Sequence, residues 1–82
     1  MKNQKPVIYT TPDCAFCHAL MDWLEDEGID FDERDISSPA ERAKAEEALG
    51  GPIQSVPVVL IGDERIDGFK RPAIKRALKK LK

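Results

Sequence analysis

Two cysteines, Cys14 and Cys17, are all that this chain of 82 residues has for cross-linking itself. Three positions apart, they would close a loop too small to brace a fold that short. The chain must therefore fold by burying apolar side chains, which make up 41% of it. A length like this supports one core and not two, so a single domain over residues 1–82 is expected. The cysteines are then better explained by chemistry than by stapling.

Charge does little to narrow the partners. Thirteen Lys and Arg stand against 15 Asp and Glu, a net charge of -2, so there is no overall attraction to nucleic acid or to an anionic membrane, and neither is expected as a partner. The longest apolar run, Val56 to Ile61, contains Pro57 and is far too short to span a bilayer. Met1 to Pro6 lacks the sustained apolar region of a secretory signal. The cytoplasm is the expected location, and in that reducing compartment a close cysteine pair reads as catalytic or metal-binding.

Val7-Ile8-Tyr9-Thr10 is a short β-branched and aromatic run that Thr11-Pro12-Asp13 ends, as a buried strand entering a loop would. Phe16, Leu20, Trp23 and Leu24 then recur at helical spacing and read as a core-facing stripe, with Gly28-Ile29 as its left-handed stop. Alternation from Ile29 to Ile36 predicts a second, weaker strand. Ser38-Pro39-Ala40-Glu41 has the form of a capping box and opens an alanine-rich helix that Gly50-Gly51-Pro52 closes. Val58 to Ile61, the turn Gly62-Asp63, and Glu64 to Asp67 form a hairpin. Pro72 can start a last helix with Ile74, Ala77, Leu78 and Leu81 on one face. The order β-α-β-α-β-β-α predicts an α/β domain in which one four-stranded mixed sheet is covered by helices on both faces. Its first strand pairs with the second and the third.

Cys14-Ala15-Phe16-Cys17 falls where the first strand gives way to the first helix. A sulfur there feels unpaired N–H groups and the positive helix end, which favour thiolate over thiol. Cys14, first and more exposed, is the expected nucleophile in disulfide exchange; Cys17, one turn later and more buried, is placed to resolve the mixed disulfide. The spacing alone admits other chemistry. Cys14, Cys17 and His18 are three zinc-ligand types, but a closed site needs a fourth, and the chain holds no other Cys or His. Cys14-Ala15-Phe16-Cys17-His18 also fits the haem-attachment pattern, although no methionine or histidine after Met21 can serve as the second axial ligand. His18 is read as a solvated helix residue.

Taken with Val7 to Cys17, the segments Ser55-Val56-Pro57-Val58-Val59 and Asp67-Gly68-Phe69 make nearly the whole chain resemble the glutaredoxin branch of the thioredoxin superfamily. The resemblance implies a thioredoxin-like fold and a thiol–disulfide oxidoreductase with no resident cofactor or metal. It also implies a cis peptide before Pro57, which faces the cysteines, with the Val56 backbone pairing with a bound substrate in strand fashion. Substrate contacts are expected from Thr11, Phe16, Val56, Pro57, Gly68 and Phe69. Some relatives hold an iron–sulfur cluster between two protomers, so a metal or cluster carrier using the same cysteines is the alternative function.

Departures from the family pattern bear on the electron donor. Many glutathione-using members carry Cys-Pro-Tyr-Cys, an upstream lysine and acids that bind glutathione's amino group. This chain has Ala15-Phe16, then Thr10 and Thr11, and the bases Lys70 and Arg71 at those places. Gly68-Phe69-Lys70-Arg71-Pro72 is instead similar to the Gly-Phe-Arg-Pro stretch of the redoxins that serve ribonucleotide reductase, and thioredoxin reductase generally reduces those. The expected partners are a disulfide-containing protein as substrate, with thioredoxin reductase favoured over glutathione as donor, and the chain is expected to be a monomer. Lys70, Arg71, Lys75, Arg76, Lys79, Lys80 and Lys82 make the last helix basic, a solvated face that suits the negative helix end. Asp22, Glu25, Asp26, Glu27 and Asp30 read as a solubility cluster.

Overall fold

Alternation along the first strand decides how the layers form. In β1 (Val7–Thr10), Ile8 points to one face of the sheet and Val7 and Tyr9 to the other, and both faces are apolar, so helices are needed on both. The computed structural model describes residues 5–80. Met1 to Gln4, and Leu81 and Lys82 of the expected last helix, lie outside the described residues.

The elements follow the expected order: α1 (Ala15–Asp26), β2 (Asp32–Asp35), α2 (Pro39–Leu49), β3 (Val58–Ile61), β4 (Glu64–Asp67) and α3 (Arg71–Lys80). The sheet runs β2-β1-β3-β4. β1 is parallel to β2 and antiparallel to β3, and β3 is antiparallel to β4. On one face Ile8, Val59, Ile61 and Ile66 meet Leu20 and Leu24 of α1 and Ile74 and Ala77 of α3. On the other, Tyr9 and Val58 meet Ile36, Ala45 of α2 and Ile53. Leu20, Leu24 and Ile74 are wholly buried, each worth about 1.5–3 kcal/mol of transfer free energy. Helix α2 buries only Ala45, so it depends more on its ends than on an apolar face.

Those ends have identifiable chemistry. Ser38 Oγ accepts the Glu41 N–H at 3.2 Å and Pro39 fills the first turn; the Glu41 carboxylate lies 3.8 Å from Lys44 Nζ rather than completing the reciprocal half of the box. At the far end of α1, Gly28 takes a φ of 73°, donating its N–H to the Glu25 carbonyl at 3.0 Å while Ile29 donates to Leu24 at 2.9 Å. This paired closure, in which an isoleucine packs back on the core, needs the left-handed glycine.

Two expectations are corrected. The strand expected over Ile29 to Ile36 is only Asp32–Asp35: Ile29 is used in closing α1 and Ile36 turns into the α2-side core. Phe16 is not part of the core but 69% exposed. The buried stripe of α1 is Cys17, Leu20 and Leu24. Phe16 and Trp23 stand on its flank, where Phe69 meets Trp23 and Phe16 is left to solvent.

Candidate active site

The C-terminal end of β1 delivers the cysteine turn. Cys14 is the N-cap of α1, in extended conformation, and its Sγ accepts the Cys17 N–H at 3.0 Å. Its own N–H bonds to the Thr11 carbonyl at 3.3 Å and its carbonyl receives the His18 N–H at 3.3 Å. One of the free donors of the helix end is thus spent on sulfur, where serine or aspartate usually caps. Cys14 is half-buried and Cys17 wholly buried. The two sulfurs are bonded to each other, with Cα atoms 5.2 Å apart. This arrangement is the oxidised form of a dithiol pair. The exposed His18 ring lies 3.4 Å from the Pro12 carbonyl, and among the described residues no three His, Cys, Asp or Glu side chains gather in a metal-binding group.

Strand register brings the second part of the site to the same end of the sheet. Tyr9 faces Val58, so the antiparallel ladder carried one step further sets Thr10 opposite Pro57, and Thr11 leads from there to Cys14. The Val56–Pro57 peptide is cis. Val58 faces Asp67, and one step on, the Gly68 N–H donates to the Pro57 carbonyl at 2.8 Å. Gly68 takes a φ of 95° there. Thr11 and Cys14 thus lie at the same end of the sheet as Val56, Pro57 and Gly68, with Phe16 and Cys17 in the first turn of α1. Pro57 is buried, Val56 half-buried, and Ser55 exposed.

Phe69 packs against α1. Its ring centroid is 5.9 Å from that of Trp23, and Trp23 lies nine residues along from Cys14, about 13 Å of helix. The Arg71 guanidinium covers both rings, 5.9 Å from Trp23 and 5.2 Å from Phe69. Helical spacing alone sets Trp23 in the core and Arg71 on a solvated face; their union depends on how α3 packs near α1, and no local pattern marks it.

The loop feeding the cis proline is held by side chains that sequence reading also missed. Glu46 Oε2 accepts the Ile53 N–H at 2.9 Å and Arg42 Nη2 donates to the Ile53 carbonyl. Arg65 Nη2 donates to the Pro52 carbonyl at 2.7 Å, and its Nε to Asp67 at 2.7 Å. The Ile53 N–H, with help from Arg42, holds the Glu46 carboxyl below its ordinary value against a partial desolvation penalty. The Ser37 backbone N–H, 2.8 Å away, and then the Ser37 hydroxyl lower that of Asp35. Arg42 and Glu46, one turn apart on α2, also pair with each other at 3.4 Å, and the peptide they share depends on where the loop returns to the helix.

Residues 7–66 match the glutaredoxin family model. The chain is 38% identical to the glutaredoxin-like protein NrdH of Escherichia coli K12 over 69 residues, which are 84% of this chain and 83% of that one. The solved E. coli NrdH-redoxin, a glutaredoxin-like protein described as having a thioredoxin-like activity profile, superposes with a TM-score of 0.72 at 36% identity, covering 88% of this chain and 92% of that one. Glutaredoxin 1 of Francisella tularensis, solved with cacodylate, gives 0.68 at 35% identity and 96% coverage of each.

Proposed function

The chain belongs to the glutaredoxin family and is a thiol–disulfide oxidoreductase, and we propose that Cys14 attacks the substrate, Cys17 resolves the intermediate, and thioredoxin reductase rather than glutathione restores the dithiol. The observation that carries the division of roles is the cap: Sγ of Cys14 receives the Cys17 N–H at the positive end of α1, while Cys17 is sealed from solvent. In the reduced protein the same N–H stabilises a Cys14 thiolate.

The Cys14 thiolate attacks one sulfur of a substrate disulfide, forming a Cys14–substrate bond and releasing one substrate thiolate. Cys17 then gives up its proton and attacks Sγ of Cys14, which breaks that bond and releases the second substrate thiolate. Two electrons have passed to the substrate, and the Cys14–Cys17 disulfide remains. The cis Val56–Pro57 peptide beside this turn offers the Val56 backbone for strand-like pairing, and exposed Phe16 supplies apolar contact. A disulfide-containing protein is accordingly the proposed substrate, handled by a single-domain monomer in the cytoplasm, where the reduced pair can be regenerated.

The donor assignment rests on charge. After β4 this chain presents Lys70 and Arg71, with Arg71 held over Trp23 and Phe69, where glutathione-using relatives present acids to an ammonium group. The thioredoxin-like activity profile of the E. coli redoxin supports the same choice. The test is to reduce one disulfide substrate with glutathione plus its reductase and, separately, with thioredoxin reductase. The second is expected to be faster; turnover with glutathione and none with thioredoxin reductase reverses the assignment.

A further inference from the structure

We propose that Glu46, together with Arg42, is a positioning residue that sets the substrate-pairing segment Gln54–Val56. The proposal rests on the reading of Val56 as a docking edge. Between α2 and β3 the chain has no ladder of its own, yet Ile53 has both its peptide groups claimed by one helix face: Glu46 takes the N–H at 2.9 Å and Arg42 the carbonyl. Glu46 Oε2 is itself 3.4 Å from Arg42 Nε, so the two side chains and one peptide make a closed ring of hydrogen bonds. Arg65 fixes the preceding Pro52 carbonyl from β4 at 2.7 Å, braced by Asp67.

Both ends of the short segment are therefore fixed. Ile53 is 2% exposed in the α2-side core. Pro57 is buried with its carbonyl bonded to Gly68 at 2.8 Å. Gln54 and Ser55 between them are exposed, and Val56 is half-buried. Three residues held at both ends cannot swing, so the peptide groups of Val56 meet an incoming chain already aligned. Loss of the Glu46 bond loosens the Ile53 peptide although its side chain stays in the core, and part of the alignment must then be made during binding. Charged hydrogen bonds are the stronger kind, which suits them to this task.

The consequence is specific to substrates that pair through a backbone. Glu46→Ala is expected to raise KM for a protein disulfide on the order of tenfold, less than the hundredfold an ångström of misplacement can cause, with kcat nearly unchanged. The protein substrate is insulin, with dithiothreitol returning the dithiol. Alkylation of reduced Cys14 by iodoacetamide, which needs no backbone pairing, is expected to keep its rate. Glu46→Gln, which keeps an oxygen for the Ile53 N–H, should recover most of the KM. If Glu46→Ala does not fold, Arg65→Met, which releases Pro52 from the β4 side, should show the same split. An unchanged KM in the folded variant, or alkylation slowed as much as insulin reduction, overturns the positioning role. A wild-type protein unable to reduce insulin overturns the underlying reading as well.

Discussion

Cys14 and Cys17 carry the same thiol, and the first turn of α1 makes them unequal. Cys14 receives an N–H at the helix end while remaining half-exposed; Cys17 donates that N–H and is closed off. Cys14→Ser should therefore end attack on protein disulfides, whereas Cys17→Ser should attack and then stall with the substrate held on Cys14. Mass spectrometry of each variant after mixing with a disulfide substrate reads this directly, and an adduct on Cys17 in the first with none on Cys14 in the second would show the roles to be reversed. That asymmetry was legible from the strand-to-helix junction, because capping is a local matter of four residues. The place of Phe16 was not: spacing marks a helix's apolar side, but Trp23 on the same flank finds Phe69 while Phe16 finds solvent, and only the α1–α3 crossing decides between them.

At the scale of the element, α2 shows what a weakly apolar helix needs. With Ala45 alone buried, its connections matter more: Asp35 holds the Ser37 N–H on the way in, and Glu46 holds Ile53 on the way out. Both carboxyls have folded values below their ordinary 3.8 and 4.5, so the unfolded chain takes up their protons first as pH falls. The stability they supply is complete above those ordinary values and is lost as pH drops through the lower, folded ones. The difference in melting temperature between wild type and an Asp35→Asn, Glu46→Gln double variant should hold steady near neutrality and shrink below about pH 4.5; a gap that widened on acidification would mean the wrong sign. The bounds of β1, β3 and β4, the glycine stops of α1 and α2 and the N-cap of α2 were readable because β-branched runs, left-handed glycines and an N-cap serine act on their neighbours. β2 came out shorter than alternation predicted because Ile29 and Ile36 serve the adjoining turns instead. The Glu46–Ile53–Arg42 ring was not readable, since it depends on where an irregular loop returns to a helix.

For the molecule as a whole, the two apolar clusters that hold the sheet between its helices are built without the cysteines, although Cys17 is buried on the same stripe of α1 as Leu20 and Leu24. An oxidoreductase needs a core of its own, because its disulfide must open and close without undoing the fold that positions it. The four-residue loop closed by Cys14 and Cys17 restricts the unfolded chain by only about 2 kcal/mol in the chain-entropy model. In the reduced state a Cys14 thiolate at the helix end regains about 0.3–1 kcal/mol of this. Each kcal/mol moves the melting temperature of a domain this size by roughly 4–8 °C. Oxidised and dithiothreitol-reduced protein should therefore both melt cooperatively, with the oxidised form higher by no more than about 15 °C. Circular dichroism through the melt of each form measures it. A reduced protein with no cooperative transition would show that the disulfide is structural after all, and that the cysteines were doing the stapling their spacing makes them so poorly suited to do.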